Sequence, residues 1–257
     1  MATRVIAHRT CPLQAPENSL AGLRAAAEQG ADGVEIDLRL SLDGQPFLFH
    51  DWTMRRTTRW PLPIELTPAF IVRRLRLQGT LEHVPTLYEA LDALPEGMRL
   101  AVDVKTPWAI PWLTREVRRR GLQRRVLIWC TSAQAVRYAV RRLPDVEVAY
   151  LKTAIDSEDK RAFLAKALAL GAKAVSAHWL AIDSAFVTTA HLNGLKVYSF
   201  HDAFPLSPER LGAGLDGLIT DFVAEAKAAL AGLAAGSKPE ADEGHAPGPE
   251  PEISGTY

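Results

Sequence analysis

Residues 33–38 read Gly33-Val34-Glu35-Ile36-Asp37-Leu38, and the fold follows from how that run must lie. Its branched apolar residues favour an extended strand. In a strand, positions i and i+2 face the same side, so Glu35 and Asp37 point into one shared space. Seven further short runs of this kind recur along the chain: Arg4–Ala7, Arg99–Val104, Arg125–Trp129, Val146–Leu151, Ala174–Ala177, Lys196–Phe200 and Gly217–Thr220. Longer Ala/Leu/Arg-rich segments separate most of them, which is the alternation of βα units around a parallel sheet. Eight strands favour closure, because eight is the number at which side chains just fill a barrel interior. An open doubly wound sheet is the alternative, disfavoured because no G-x-G-x-x-G follows the first strand. The expected class is therefore α/β, a single (β/α)8 TIM barrel.

The length and composition agree with one domain: 257 residues, 47% hydrophobic and 23% charged, suffice for one sizeable core. The barrel is expected over residues 1–235. After Ala235 the chain turns to Gly, Pro, Glu and Ser, with Pro239, Pro247, Pro249 and Pro251 and five acidic residues against Lys238 alone. Residues 236–257 are expected to be a disordered acidic tail, since they have too little apolar surface to order themselves. Helix ends are also legible. Asn18 is a candidate cap for Leu20–Glu28, Ser132 for Gln134–Arg142, and Ser157 precedes Lys160–Leu170. The stretch Trp52–Glu82, with Pro61 and Pro63 near its start, is expected to form a small excursion over the top of the barrel after its second strand.

Lys plus Arg and Asp plus Glu number 30 each, so the overall balance calls for neither nucleic acid nor an anionic membrane. The run Arg115, Arg118, Arg119, Arg120, Arg124 and Arg125 lacks interleaved aromatic residues and reads as a solvated helix face. No N-terminal charged segment leads into a signal-like apolar run, and no stretch nears the ~18 apolar residues of a membrane span. The expectation is a soluble cytoplasmic protein without stable membrane insertion, its oligomeric state left open. Cys11 and Cys130 are the only cysteines, which suits reduced thiols rather than a disulfide framework.

A barrel of this kind builds its active site at the C-terminal ends of its strands. The polar residues there are His8 and Arg9, Glu35 and Asp37, His50 and Asp51, Asp103 and Lys105, then His178, His201 and Asp221. Glu35, Asp37 and Asp103 facing one interior would repel unless a positive charge sits among them. A hard divalent cation, Mg²⁺, Ca²⁺ or Mn²⁺, suits an all-carboxylate set. Neutralisation by Lys105 and Arg9 as buried ion pairs is the competing account. His8 and His50 can supply a base to one reacting oxygen and an acid to another. Metal, arginine and lysine on one spot describe a phosphate clamp.

Taken in order, His8-Arg9, Pro16-Glu17-Asn18-Ser19, Glu35-Ile36-Asp37, Asp43-Gly44, His50-Asp51, Pro85-Thr86-Leu87, Asp103-Val104-Lys105 and Asp216-Gly217-Leu218-Ile219-Thr220-Asp221 resemble the glycerophosphodiester phosphodiesterase family, from residue 4 to about 225. The resemblance implies a barrel of the phospholipase C-like phosphodiesterase type and a divalent metal ion. It also implies hydrolysis of glycerophosphodiesters to glycerol 3-phosphate and an alcohol. Carried over by position, His8 and His50 would be the acid/base pair, Glu35, Asp37 and Asp103 the metal ligands, and Arg9 and Lys105 the phosphate contacts.

Three positions depart from the family pattern. Thr10 stands where glycine usually follows His-Arg, which is expected to change the backbone angle or the loop's approach to phosphate. Asp103 replaces a usual glutamate and reaches less far. Tyr198 and His201 occupy a stretch that usually carries a tryptophan-threonine motif. Two rival functions remain. A phospholipase D-like enzyme for lysophospholipids would need an apolar trough, for which Trp52, Trp60, Phe70 and Ile71 are candidates, though packing of the excursion onto the barrel is the favoured account of them. A non-catalytic phosphodiester-binding module would explain Thr10 and Asp103.

Overall fold

The computed structural model describes residues 2–152 and 160–234. The acidic tail and the Ser157 helix start lie outside the described residues. Nine strands form one sheet: β1 (Arg4–Ala7), β2 (Gly33–Leu40), β3 (Pro46–Leu48), β4 (Arg99–Val104), β5 (Val126–Cys130), β6 (Glu147–Lys152), β7 (Ala174–His178), β8 (Lys196–His201) and β9 (Gly217–Thr220). Eight of them run parallel, and the pairing of β1 with both β9 and β2 closes the barrel. β3 is antiparallel to β2, with Leu38 opposite Leu48, and it is the hairpin that carries His50 to the rim. All eight barrel strands expected from the sequence are present, with shifts of one or two residues at their ends.

The helices are α1 (Leu20–Glu28), α2 (Arg55–Thr58), α3 (Ala69–Val72), α4 (Leu87–Ala93), α5 (Ile110–Arg119), α6 (Ala133–Arg142), α7 (Lys160–Ala169), α8 (Ser184–Leu192), α9 (Pro208–Leu211) and α10 (Val223–Ala234). None is long and apolar enough to cross a membrane. Ser132 caps α6 as expected, accepting from the Ala135 amide. At α1 the cap is Ser19, accepting from Gly22, and not Asn18. The reason is tertiary: the Asn18 side chain is taken by Asp37, donating Nδ2 to its carboxylate at 2.7 Å and accepting its amide at 2.9 Å.

Strand alternation divides the apolar residues into two sets. Ile6, Ala101, Leu127, Trp129, Ala149, Ala174, Tyr198 and Ile219 fill the barrel, while a larger set joins the outer strand faces to the helices. Tyr198 is wholly buried, 5.5 Å from Trp129 ring to ring, and Gly217 makes room for it: a Cβ there would lie 2.6 Å from the Tyr198 ring. Burying one such aromatic contributes about 2–3 kcal/mol. The excursion has its own small core of Phe47, Phe49, Met54, Ile64, Val72 and Val84, with Trp60 packed against it. Trp52 and Phe70, by contrast, stay exposed.

His201, a strand-end candidate from the sequence, turns away from the barrel axis, because its neighbour Phe200 takes the inward position. Its ring stacks on Trp179 at 4.4 Å, and Nε2 accepts the Ser207 amide at 3.2 Å. Burial pushes the imidazole down from 6.5 to about 4. A base depressed on folding takes up protons more readily unfolded. The stability it contributes is therefore full above about pH 6.5 and lost as pH falls towards 4. His201→Phe should flatten that loss, on the order of 2 kcal/mol, in denaturant titrations at either end of the window.

Candidate active site

β2 and β4 lie side by side with Glu35 opposite Ala101 and Asp37 opposite Asp103. Ala101 belongs to the interior set, so all three carboxylates project inward at the C-terminal end. They are buried, and one oxygen or more from each lies within 4.8 Å of the others. Lys105, just past β4, reaches Asp103 at 2.6 Å and Asp37 at 3.1 Å. Arg9 extends its Nε to 3.7 Å from Asp37.

The two cations do not cover the three carboxylates evenly. Burial raises Asp37, but Lys105, His50, Arg9 and the Asn18 amide outweigh it and hold that carboxyl well below the usual range. Asp103 is raised by burial and by Asp37 despite Lys105. Glu35 is the group left over. Among the described residues its one hydrogen bond is from the Arg9 amide at 2.8 Å, and burial together with Asp37 and Asp103 pushes its carboxyl far up. With Lys105 and Arg9 as the only cations, Glu35 is thus driven towards its neutral form; it can stay ionised only if a further positive charge joins the cluster. A divalent cation would supply it, and three hard oxygen donors fit such an ion.

His8 directly follows β1, and its Nδ1 is 2.7 Å from Asp221 Oδ1, just beyond β9. The carboxylate favours the tautomer with the proton on Nδ1 and leaves Nε2 free. Phe200 packs against the His8 ring at 4.5 Å and against the His178 ring at 5.9 Å. His50 is held in the same way by Asp51, at 2.8 Å, while Arg39 Nε binds the His50 carbonyl at 3.0 Å. Asp51 is itself anchored by Arg56 at 2.6 Å, and Arg56 by Glu17 at 2.6 Å. Each histidine therefore has a carboxylate partner, Asp221 from the far end of the chain and Asp51 from the adjacent position. The sequence names these residues as rim polar groups and carries no signal of which histidine each would serve.

The backbone after β1 is unusual. Arg9, Thr10 and Cys11 have φ of 42°, 74° and 143°. Such conformations cost non-glycine residues about 1–2 kcal/mol each. Thr10 thus lies in the left-handed region that favours glycine. The loop is tied down instead. Thr10 Oγ1 donates to the Arg9 carbonyl at 2.6 Å and accepts the Ser19 amide at 3.2 Å, and the Asn18 amide donates to the Arg9 carbonyl at 2.7 Å. The methyl-bearing side chain is wholly buried against Gly22, where a Cβ would lie 2.4 Å from Thr10 Oγ1. Thr10 therefore fills space behind the loop, away from the opening of the site.

Asp221→Asn should act through His8 rather than on substrate. The expected result is a fall in kcat on the order of 10–100-fold with little change in KM, and a shift in whichever limb of the pH–rate profile His8 governs. Equal loss in KM and kcat would mean that Asp221 acts otherwise.

The chain is similar to known proteins. The model of the Glycerophosphoryl diester phosphodiesterase family matches residues 8–225. The Glycerophosphodiester phosphodiesterase of Caldanaerobacter subterraneus subsp. tengcongensis is 28% identical over 238 residues, covering 86% of this chain and 95% of that protein. Among solved structures, an Oleispira antarctica phosphodiesterase in complex with the product sn-glycerol-3-phosphate superposes with a TM-score of 0.75 at 27% identity, covering 90% of this chain and 97% of that one. A glycerophosphodiester phosphodiesterase from Agrobacterium tumefaciens shares the fold at a TM-score of 0.78 and 20% identity, covering 90% and 100%. With the barrel, the inward carboxylates and a family match spanning nearly all the barrel strands, the chain belongs to the glycerophosphoryl diester phosphodiesterase family of phosphoric diester hydrolases.

Proposed function

We propose that the chain hydrolyses glycerophosphodiesters to glycerol 3-phosphate and an alcohol, with His8 and His50 exchanging protons and Arg9 and Lys105 holding the phosphate. The observation that carries this reading is that Lys105, Arg9 and His50 lie around the inward carboxylates, while His8 follows β1 at the same end of the barrel. Each histidine has its Nδ1 fixed by a carboxylate, which leaves Nε2 to receive or deliver a proton at the substrate. One histidine takes the proton from the attacking oxygen as it bonds to phosphorus; where that oxygen is the substrate's own hydroxyl, water opens the resulting cyclic phosphate in a second exchange of the same kind. The other gives a proton to the departing alcohol oxygen as its bond to phosphorus breaks. Arg9 and Lys105 oppose the charge that gathers on the phosphoryl oxygens. A divalent cation, Mg²⁺, Ca²⁺ or Mn²⁺, held by Glu35, Asp37 and Asp103 would add positive charge beside them.

Prolonged EDTA treatment should remove activity on glycerophosphocholine, and one of Mg²⁺, Mn²⁺ or Ca²⁺ should restore it. Undiminished turnover in the chelated protein would rule out the metal. A protein that, loaded with each cation, cleaved neither a glycerophosphodiester panel nor bis(p-nitrophenyl) phosphate would be a binding module instead.

A second reading has one observation in its favour. Leu13, Trp52, Trp108 and Phe204 all lie on loops that follow strands, and Trp52, Trp108 and Phe204 are 65%, 74% and 63% exposed. Such residues around the mouth suit the acyl chain of a lysophospholipid. Release of choline from lysophosphatidylcholine faster than from glycerophosphocholine would favour it.

A further inference from the structure

The arginine-rich run divides in the fold. Within it, Arg119 and Arg120 pair with Glu116 on α5, at 2.7 and 3.2 Å, as a solvated helix face would. Arg124 and Arg125, just before β5, instead open onto a cavity of about 770 Å³ at the N-terminal pole of the barrel, opposite the catalytic end. Strand beginnings from around the barrel contribute to its wall: Arg4 of β1, Arg99 of β4 and Lys196 of β8.

Five cationic side chains line this cavity against two carboxylates, Asp32 and Glu96. Asp32 is already engaged, with Lys227 at 2.7 Å and the Val5 amide at 2.7 Å. Glu147 below the wall holds Lys196 at 2.5 Å and accepts the Tyr198 hydroxyl, and Arg99 approaches it only to 3.8 Å. Arg99 Nε is buried without a hydrogen-bond partner. Arg125 is spent on the Pro95 and Met98 carbonyls, which fixes the loop between them. Among the described residues, the Arg4 and Arg124 guanidiniums make no hydrogen bond or salt bridge. Cations gathered in a concavity with donors to spare repel one another, and an anion relieves that repulsion.

We propose that this pole is a second, non-catalytic site for a phosphate-bearing anion, recognised by Arg4, Arg99, Arg124 and Lys196. Guanidinium forks match phosphate oxygens in pairs, and four cationic side chains offer more donors than one phosphate takes, so the ligand class is a diphosphate or a phosphorylated small molecule.

Pyrophosphate titrated calorimetrically into metal-free protein tests this, because without metal it has two candidate sites. In Arg9→Gln/Lys105→Gln, which disables the catalytic clamp, one equivalent should still bind. In Arg4→Gln/Arg124→Gln that pole binding should weaken at least tenfold while turnover of glycerophosphocholine is unchanged. Arg137→Gln/Arg141→Gln removes the same charge from α6 and should leave binding as in the parent. No saturable binding to the clamp variant below ~10 mM would overturn the proposal. So would an equal loss in the α6 control, which would show general attraction to a basic surface. If the clamp variant does not fold, the stoichiometry in the parent protein decides: a fall from two sites to one in Arg4→Gln/Arg124→Gln supports the pole, and no change refutes it.

Discussion

His8→Ala and His50→Ala are each expected to lower kcat on glycerophosphocholine by about 10³-fold or more, within the range that positioned acid/base groups contribute. The expectation follows from how each ring is held. Asp221 fixes His8 at 2.7 Å and Asp51 fixes His50 at 2.8 Å, so neither imidazole can be replaced by a freely moving water of similar basicity. Neither ring belongs to the barrel's apolar filling, so the circular dichroism spectrum and metal affinity should survive both changes. The double variant should lose little more than the worse single one, because two groups that act on one proton balance are not additive. Full activity in either single variant would remove that residue from the chemistry.

Asp37→Asn should have the next largest effect, weakening divalent-cation affinity by about 100-fold and lowering turnover at fixed metal concentration to match. Asp37 is the carboxylate that the site keeps ionised, through Lys105, His50, Arg9 and Asn18. Glu35 and Asp103 are both pushed towards their neutral forms by burial. Removing the Asp37 charge leaves the other two to neutralise Lys105 and Arg9 as well as the metal. Excess Mn²⁺ should recover part of the lost rate, whereas excess substrate should not. Recovery by substrate instead would place Asp37 in substrate binding.

Much of this site was legible in the chain. Glu35, Asp37 and Asp103 could be placed on one face because strand alternation is a local steric property, set by chain chirality and needing no knowledge of the rest of the fold. The same reasoning located eight strands to within a residue or two and the Ser132 cap of α6. It failed at Asn18, whose capping preference is local but whose side chain is claimed by Asp37. It failed also at His201, where a shift of one position turns a side chain from the barrel axis to the helix layer.

What the sequence by itself determined is the set of inward carboxylates, the count of strands that closes the barrel, and the order in which His8 and His50 reach its rim. Only the tertiary structure decided that Asp221 serves His8, that Gly22 leaves space for Thr10 in a strained loop, and that Arg4 and Arg124 share a cavity at the opposite pole. The physical reason is range. Alternation and capping act over a few residues, while closure brings together side chains more than a hundred positions apart. Which of these meet depends on strand stagger and on the volume of everything packed between them.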